Sequence, residues 1–315
     1  MRFEHTTDQR DFARSLDKLV AGSDPIAVAR AWAEGDHAAG LTLWARLAEQ
    51  GVTMLATEAS PVEVCVAFEV LGRHSVPGPW VESAAYLPVA LGREVAGVAT
   101  VAVPPHTPYA LDADVAEAVY LDSGRGEPTL VPPERRASEP VVSVDPTRRL
   151  FRVGEAVDVA GVSGSRAFDL AALATAAQLL GLGERVLADS VTYVTQRRQF
   201  GREIGSYQAI KHQLANVRIA LDFAQPLVYG AAVALSEPAG TAERSVSAAK
   251  VQAAEAAYLA SRVGLQVHGA IGYTREHDLS VFLTRIRALV TAWGTPAFHR
   301  SRILDSLLGE RIGSA

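Results

Sequence analysis

Apolar residues recur at three-to-four spacing over most of the chain, and the spacing breaks down only in the middle third. From about residue 8 to residue 91 the pattern predicts helices. Leu41, Trp44, Leu47 and Ala48 share one helix face that stops at Gly51, a residue suited to the left-handed turn beyond a helix end. A second helix is predicted from Pro61 to Leu71. Proline is tolerated at its start because that N–H is unpaired anyway, and Gly72 follows its end. Gly72, Pro77, Gly78 and Pro79 predict a loop up to Trp80.

Short β-branched runs replace the helical spacing between about Val95 and Val162. Val98–Val103, Ala116–Leu121, Val141–Val144 and Leu150–Val153 are predicted strands, separated by Pro, Gly and Asp. The Pro-rich stretch Val131–Pro140 is predicted as a loop whose Arg135 and Arg136 are solvated charges.

After Ser165 the helical pattern returns. Ala167–Gln196 contains no proline and is predicted as one long helix, weakened but not broken by Gly181 and Gly183. Ile210, Leu214, Val217, Leu221, Ala224 and Val228 alternate by four and three, the seam of a helix in a bundle. Pro226 is expected to kink that helix, and Pro238 and Gly240 to end it. Thr241 is the predicted N-cap of a third, Ala-rich helix running toward Gly264. A final helix pair is predicted after His277 and Pro296. The expected fold is mainly α with a small central β domain: an N-terminal helical domain over 1–94, a reduced β domain over 95–164 and a C-terminal four-helix bundle over 165–315.

Composition narrows the function classes. The 315 residues are 49% hydrophobic and 21% charged, as in a globular protein rather than a disordered one. A net charge of −5 gives no basic footprint for nucleic acid or an anionic membrane. Cys65 is the single cysteine, so no internal disulfide or Cys-rich metal site is expected. Its apolar setting, Val62–Phe68, predicts a buried structural thiol. The polar start Met1–Asp8 lacks a signal-type apolar core, and no uninterrupted apolar run reaches membrane-spanning length. These features predict a cytoplasmic protein.

Two segments carry candidate chemistry: Gln196-Arg197-Arg198-Gln199-Phe200-Gly201 and Gln266-Val267-His268-Gly269-Ala270-Ile271-Gly272. At their spacing, and on the helices predicted for them, they resemble the two flavin-gripping signatures of the acyl-CoA dehydrogenase family. The order of helical, β and helical parts is similar to that family over nearly the whole chain, as is Leu71-Gly72-Arg73 followed by Pro77-Gly78-Pro79. The resemblance implies FAD as cofactor and an acyl-CoA as substrate. Arg197 would take the pyrophosphate, with Gln199 and Phe200 along the same strip and Gln208 nearby on the next helix. Gln266, Gly269, Ala270 and Gly272 would supply amide and backbone contacts. A planar cation suits phosphate, and glycine lets backbone approach where a Cβ would block it. Ala270 replaces the family's usual second glycine, and His268 a usual aromatic. His268 is expected to pack or hydrogen-bond rather than to catalyse.

The family's chemistry is missing. Its base, a carboxylate shortly before the last helix, corresponds here to Thr291-Ala292-Trp293-Gly294-Thr295-Pro296, which holds no acid. The alternative base position on the first bundle helix falls on Ala171, and the family's CoA-contacting Arg falls on Ala172. Asp169 remains, as a first-turn dipole partner. The β-domain segment that covers the flavin in the family has no counterpart in Val101–Asp114. No catalytic residue and no metal ligand is therefore assigned.

The family's two signatures reach across a dimer interface, whereas its base and β-domain segment serve the flavin of their own subunit. The resemblance therefore implies a short, base-lacking subunit paired with a longer acyl-CoA dehydrogenase subunit, as α2β2. This is the arrangement of bacterial heteromeric enzymes of steroid degradation, with an electron-transfer flavoprotein as acceptor. Two alternatives stay open: a self-sufficient flavoenzyme with a displaced base such as Glu276, Asp278 or Asp305, and a non-enzymatic scaffold of the same fold.

Overall fold

The computed structural model describes residues 5–137, 139–153, 165–237 and 242–313. The N-terminal part is helical as expected: α1 Thr7–Ala21, α2 Pro25–Ala33, α3 Ala38–Glu49, the single turn α4 Leu55–Glu58 and α5 Pro61–Arg73, followed by a π-helical turn Glu82–Tyr86 that runs into α6 Leu87–Leu91. Capping boxes start α1 at Thr6 and α5 at Ser60, each pairing a hydroxyl with a backbone N–H and an amide or carboxylate three residues on. α3 stops just before Gly51, whose φ of 82° takes the chain out of the helix. α5 continues two residues past the expected end because Gly72 packs against the backbone of Gln178, so the glycine makes a helix crossing rather than a terminus.

The middle part holds a three-stranded sheet, β1 Ala99–Ala102, β3 Ala118–Leu121 and β4 Thr129–Leu130, in the order β1-β3-β4. β1 and β3 are parallel, with Ala99 opposite Ala118, and β4 is antiparallel to β3. A separate pair joins β2 Ala110–Leu111 to β5 Leu150–Phe151. The expected strand Val141–Val144 does not form. Val141 makes one bridge to Leu150, and Val142 is 97% exposed, so this run has no apolar face to bury and lies between Pro140 and Pro146. Residues 154–162, at the end of the expected β region, lie outside the described residues.

The C-terminal bundle contains α7 Arg166–Gln196, α8 Gln208–Ser236, α9 Ala242–His268, α10 Leu279–Leu289 and α11 Pro296–Gly313, with a small hairpin, β6 Arg198–Gln199 and β7 Arg202–Glu203, between α7 and α8. Ser165 caps α7 through Phe168 N at 3.1 Å. Every residue of α7 from Ala167 to Gly183 is buried, which makes it the central helix. Its glycines have a packing reason. Gly181 lies against the backbone at Glu69 of α5, and a Cβ on Gly183 would be 2.7 Å from Leu221 Cδ2 of α8. α8 runs through Pro226 without interruption. α9 extends four residues past the expected end, since Gly264 marks close contact with Val186 of α7 rather than a stop. α8 ends at Ser236 and α9 begins at Ala242, while Pro238, Gly240 and Thr241 lie outside the described residues.

By length and composition, two helices among the described residues could cross a membrane, α7 and α8. In α7 the apolar window is 89% buried inside the fold; in α8 it is 39% buried, and Ile219, Phe223 and Leu227 form an exposed stripe at four-residue spacing. Cys65 is wholly buried, and burial pushes its thiol far above the ordinary range, which removes it as a nucleophile. A buried ion pair, Arg285 Nε to Asp145 Oδ2 at 2.5 Å, ties α10 to the β part, reinforced by Arg285 Nη1 to Val76 O at 3.1 Å.

Candidate cofactor site

Both signatures form at helix ends. Gln196 ends α7, and Arg197 follows in extended conformation. The chain then turns back as a two-residue hairpin in which Phe200 (φ 52°) and Gly201 (φ 82°) both take left-handed geometry, as a tight turn between twisted strands demands. Arg198 Nη1 pairs across the hairpin with Glu203 Oε1 at 3.0 Å. The second signature straddles the end of α9. Gln266 and His268 are still helical, and Gly269 (φ 62°) opens a 3₁₀ turn over Gly269–Tyr273.

These two ends meet around one cavity of about 740 Å³. Arg197, Gln199, Phe200, Gln266, Gly269 and Ala270 all line it. The guanidinium of Arg197 makes no hydrogen bond or ion pair among the described residues. No atom lies within 4 Å of where a Cβ on Gly269 would stand, so its glycine is required by backbone geometry. Phe200 is 89% exposed at the hairpin tip.

Two expected residues do not join the lining. Gln208 is exposed at the first position of α8, and its neighbour Tyr207 lines the cavity instead. Gly272 is buried beneath the turn, where a Cβ would meet His268 Cβ at 3.1 Å and Leu265 Cδ1 at 3.2 Å. Sequence reading also missed Tyr193, which lines the cavity from the last turn of α7, where its carbonyl accepts from Arg197 N–H. The tyrosine ring stacks on His268, centroids 4.3 Å apart.

Among the described residues, no carboxylate lines this cavity. Glu276, Asp278 and Asp305 are exposed elsewhere, and Asp278 pairs with Arg30 at 2.9 Å. Among the described residues, no group of three His, Cys, Asp or Glu side chains is placed to hold a metal.

The segment that would carry the family's base is packed solid. Trp293 (φ 55°) and Gly294 (φ 100°) form a left-handed turn, and Trp293 is buried against Tyr86 and Phe168. His299 Nε2–H donates to Trp293 O at 2.9 Å, so its Nδ1 must be the acceptor for the Ser247 hydroxyl at 3.2 Å. Burial pushes the His299 imidazole down to about 3, with Lys250 adding to the effect. Lys250, wholly buried, donates to the carbonyls of Leu289, Val290 and Gly294 at 3.1–3.4 Å, and burial pushes its ammonium down to about 7. His106, from the loop after β1, closes the cluster against Phe298 and Phe168 at 4.2 and 5.0 Å.

What remains there is a space of about 230 Å³ lined by Glu82, His106, Tyr109, Arg148 and Thr291 among others, below the usual size of a ligand pocket. Its carboxylate, Glu82, is buried and held above the ordinary range by that burial, with Arg148 opposing. Asp169 does lie in the first turn of α7, and beyond the dipole it has a partner, Arg302 Nη2 at 2.7 Å. Burial raises the Asp169 carboxyl and Arg302 pulls it back.

Sequence comparison agrees with this architecture. The profile of the acyl-CoA dehydrogenase C-terminal domain matches residues 162–308. The acyl-CoA dehydrogenase IpdE2 of Mycobacterium tuberculosis is 31% identical over 298 residues, covering 88% of this chain and 91% of that protein. The chain belongs to the acyl-CoA dehydrogenase family. Its fold is shared with a Tcur3481–Tcur3483 steroid acyl-CoA dehydrogenase variant (TM-score 0.80, 19% identity, 97% of this chain and 99% of that one). The ChsE4–ChsE5 complex of Mycobacterium tuberculosis is similarly close (TM-score 0.77, 22% identity, 98% and 99%). The family is one of flavoproteins with FAD as cofactor. The cavity fits that group on its own features: an unpaired guanidinium for phosphate, two side-chain amides, and a glycine turn open to close approach.

Proposed function

We propose that this chain is the cofactor-gripping subunit of a heteromeric acyl-CoA dehydrogenase. It joins a longer family member that carries the catalytic carboxylate. One observation carries the reading: both flavin signatures converge on a single cavity without a carboxylate, while the segment that holds the base in the family is sealed by Trp293, Phe298 and His299. In this arrangement Arg197 holds the pyrophosphate by charge-assisted hydrogen bonds, and Gln199, Gln266 and the backbone at Gly269 and Ala270 orient the adjoining groups. Phe200 projects from the hairpin to exclude water at the subunit boundary. Held by these residues, FAD would supply a hydride acceptor for α,β-dehydrogenation of an acyl-CoA, with the α-proton going to the partner's carboxylate.

The three-part division at about residues 94 and 164 belongs to the same proposal, as does an α2β2 assembly in which the exposed stripe Ile219, Phe223 and Leu227 is covered by another subunit. A steroid-derived acyl-CoA is the preferred substrate class, supported by likeness of fold to a steroid acyl-CoA dehydrogenase and to a two-component complex. The electron acceptor is an electron-transfer flavoprotein.

Purification of this chain with its co-purifying subunits tests the reading. The expected result is a longer family member, flavin in the complex, and at least tenfold weaker flavin retention after Arg197→Ala. Stoichiometric FAD and turnover by this chain alone would overturn it.

A further inference from the structure

His268 is assigned no role by the family resemblance, yet its ring is fixed at the cavity by a hydrogen bond and two ring contacts. Its Nδ1 lies 2.7 Å from the carbonyl oxygen of Gly264, one turn back in α9. A carbonyl only accepts, so Nδ1 carries the proton and donates. One ring face stacks on Tyr193 at 4.3 Å and 25°, and His277 approaches at 5.2 Å with its plane turned by 67°. Burial pushes the imidazole below its ordinary range, with His277 acting in the same direction and the Gly264 carbonyl and Asp189 opposing. The side chain is therefore a neutral imidazole of fixed tautomer. Its Nε2, a bare lone pair, has no partner among the described residues, and the residue lines the 740 Å³ cavity.

This atom differs in kind from its neighbours. Arg197 can only donate, and Gln199 and Gln266 can turn their amides either way. The Tyr193 hydroxyl is directed to His268 O at 3.5 Å. A cavity of donors suits phosphate oxygens, but the groups that flank a pyrophosphate in FAD are sugar hydroxyls, which have protons to give. We propose that His268 Nε2 accepts a hydrogen bond from a sugar hydroxyl of FAD, on the ribose or the ribityl chain beside the pyrophosphate, and so fixes the cofactor's rotation about the Arg197 anchor. The proposal rests on FAD occupying this cavity, as in the function proposed above.

The test is FAD titration into deflavinated complex, purified through a tag on this chain. Arg197→Ala serves as the control for occupancy of the cavity. His268→Phe keeps an aromatic against Tyr193 and removes the acceptor; His268→Gln restores an acceptor near the position of Nε2. Loss of one net hydrogen bond predicts roughly three- to tenfold weaker FAD binding for His268→Phe, with recovery in His268→Gln. Two cofactor analogues separate the sources, one lacking the ribose hydroxyls and one lacking the ribityl hydroxyls. The analogue that lacks the accepted hydroxyl binds wild type and His268→Phe equally. If His268→Phe binds FAD within twofold of wild type while Arg197→Ala does not, the role of His268 is overturned and the cavity assignment stands. If neither analogue erases the difference between wild type and His268→Phe, the hydroxyl assignment is overturned. If Arg197→Ala and His268→Phe both bind normally, the cavity assignment itself fails.

Discussion

A Cβ built on Gly294 would stand 2.6 Å from Nε2 of His299 and 2.7 Å from Cδ1 of Phe298. Gly294, in the segment that corresponds to the family's base, is thus closed to a side chain, and its φ of 100° disfavours all residues but glycine. Replacing the residue type alone cannot rebuild the site. Gly294→Glu is expected to destabilise the chain by about 2–5 kcal/mol through strain and overpacking. It should give no acyl-CoA oxidation by the chain alone; denaturant unfolding and a dye-reduction assay check both halves.

Phe200 sits in left-handed geometry, which asparagine tolerates better than a bulky aromatic. Phe200→Asn should leave the isolated chain as stable as wild type or up to about 1 kcal/mol more stable. In the complex the same change removes the burial of an exposed ring and should weaken assembly or flavin retention by about 1.5–3 kcal/mol. Thermal melts of the chain and flavin release from the complex read the two effects separately.

Arg302 gathers three groups: Asp169 at 2.7 Å, Glu243 at 2.8 Å and Ser247 at 3.1 Å. Its guanidinium also lies over Phe168 and Phe298. This clasp ties α11 to α7 and α9. Arg302→Met leaves Asp169 buried without its cation and should cost about 3–5 kcal/mol of stability. Its effect should be on unfolding rather than chemistry, with turnover per assembled complex unchanged.

Asp112 is wholly buried, accepts from Trp32 Nε1 at 3.1 Å, and leaves Oδ2 without a partner. Burial pushes its carboxyl up to about 7. In the folded chain it holds its proton over a range where the unfolded chain has lost it, so its favourable contribution is complete below about pH 4 and is lost as pH rises through about 7. Asp112→Asn keeps a neutral side chain at φ 51°, which asparagine tolerates. The melting temperature of Asp112→Asn relative to wild type should therefore climb between about pH 4 and pH 7 and level off above that. A constant difference would show that Asp112 does not titrate in this window.

Helix faces were legible because a bundle repeats one local rule: apolar side chains every three to four residues bury one stripe. The seam Ile210–Val228 lies in α8, and the proline-free run 167–196 is one helix. Glycine was the ambiguous letter. Gly51 ends a helix, whereas Gly72 and Gly264 lie inside helices because another helix crosses there, a fact that depends on residues more than seventy positions away. Val141–Val144 has the composition of a strand but no sheet face to cover.

By itself the sequence determined the bundle, the two signatures and the absence of an acid at residues 291–296 and 171, since each is a matter of local residue type and order. Only the tertiary structure decided that Tyr193 and Tyr207 join the cavity while Gln208 and Gly272 do not, and that the acid-free segment around Gly294 is packed by Trp293, Phe298 and His299. The reason is geometric: helix spacing fixes which face a side chain shares, but what that face meets depends on how distant elements close on it.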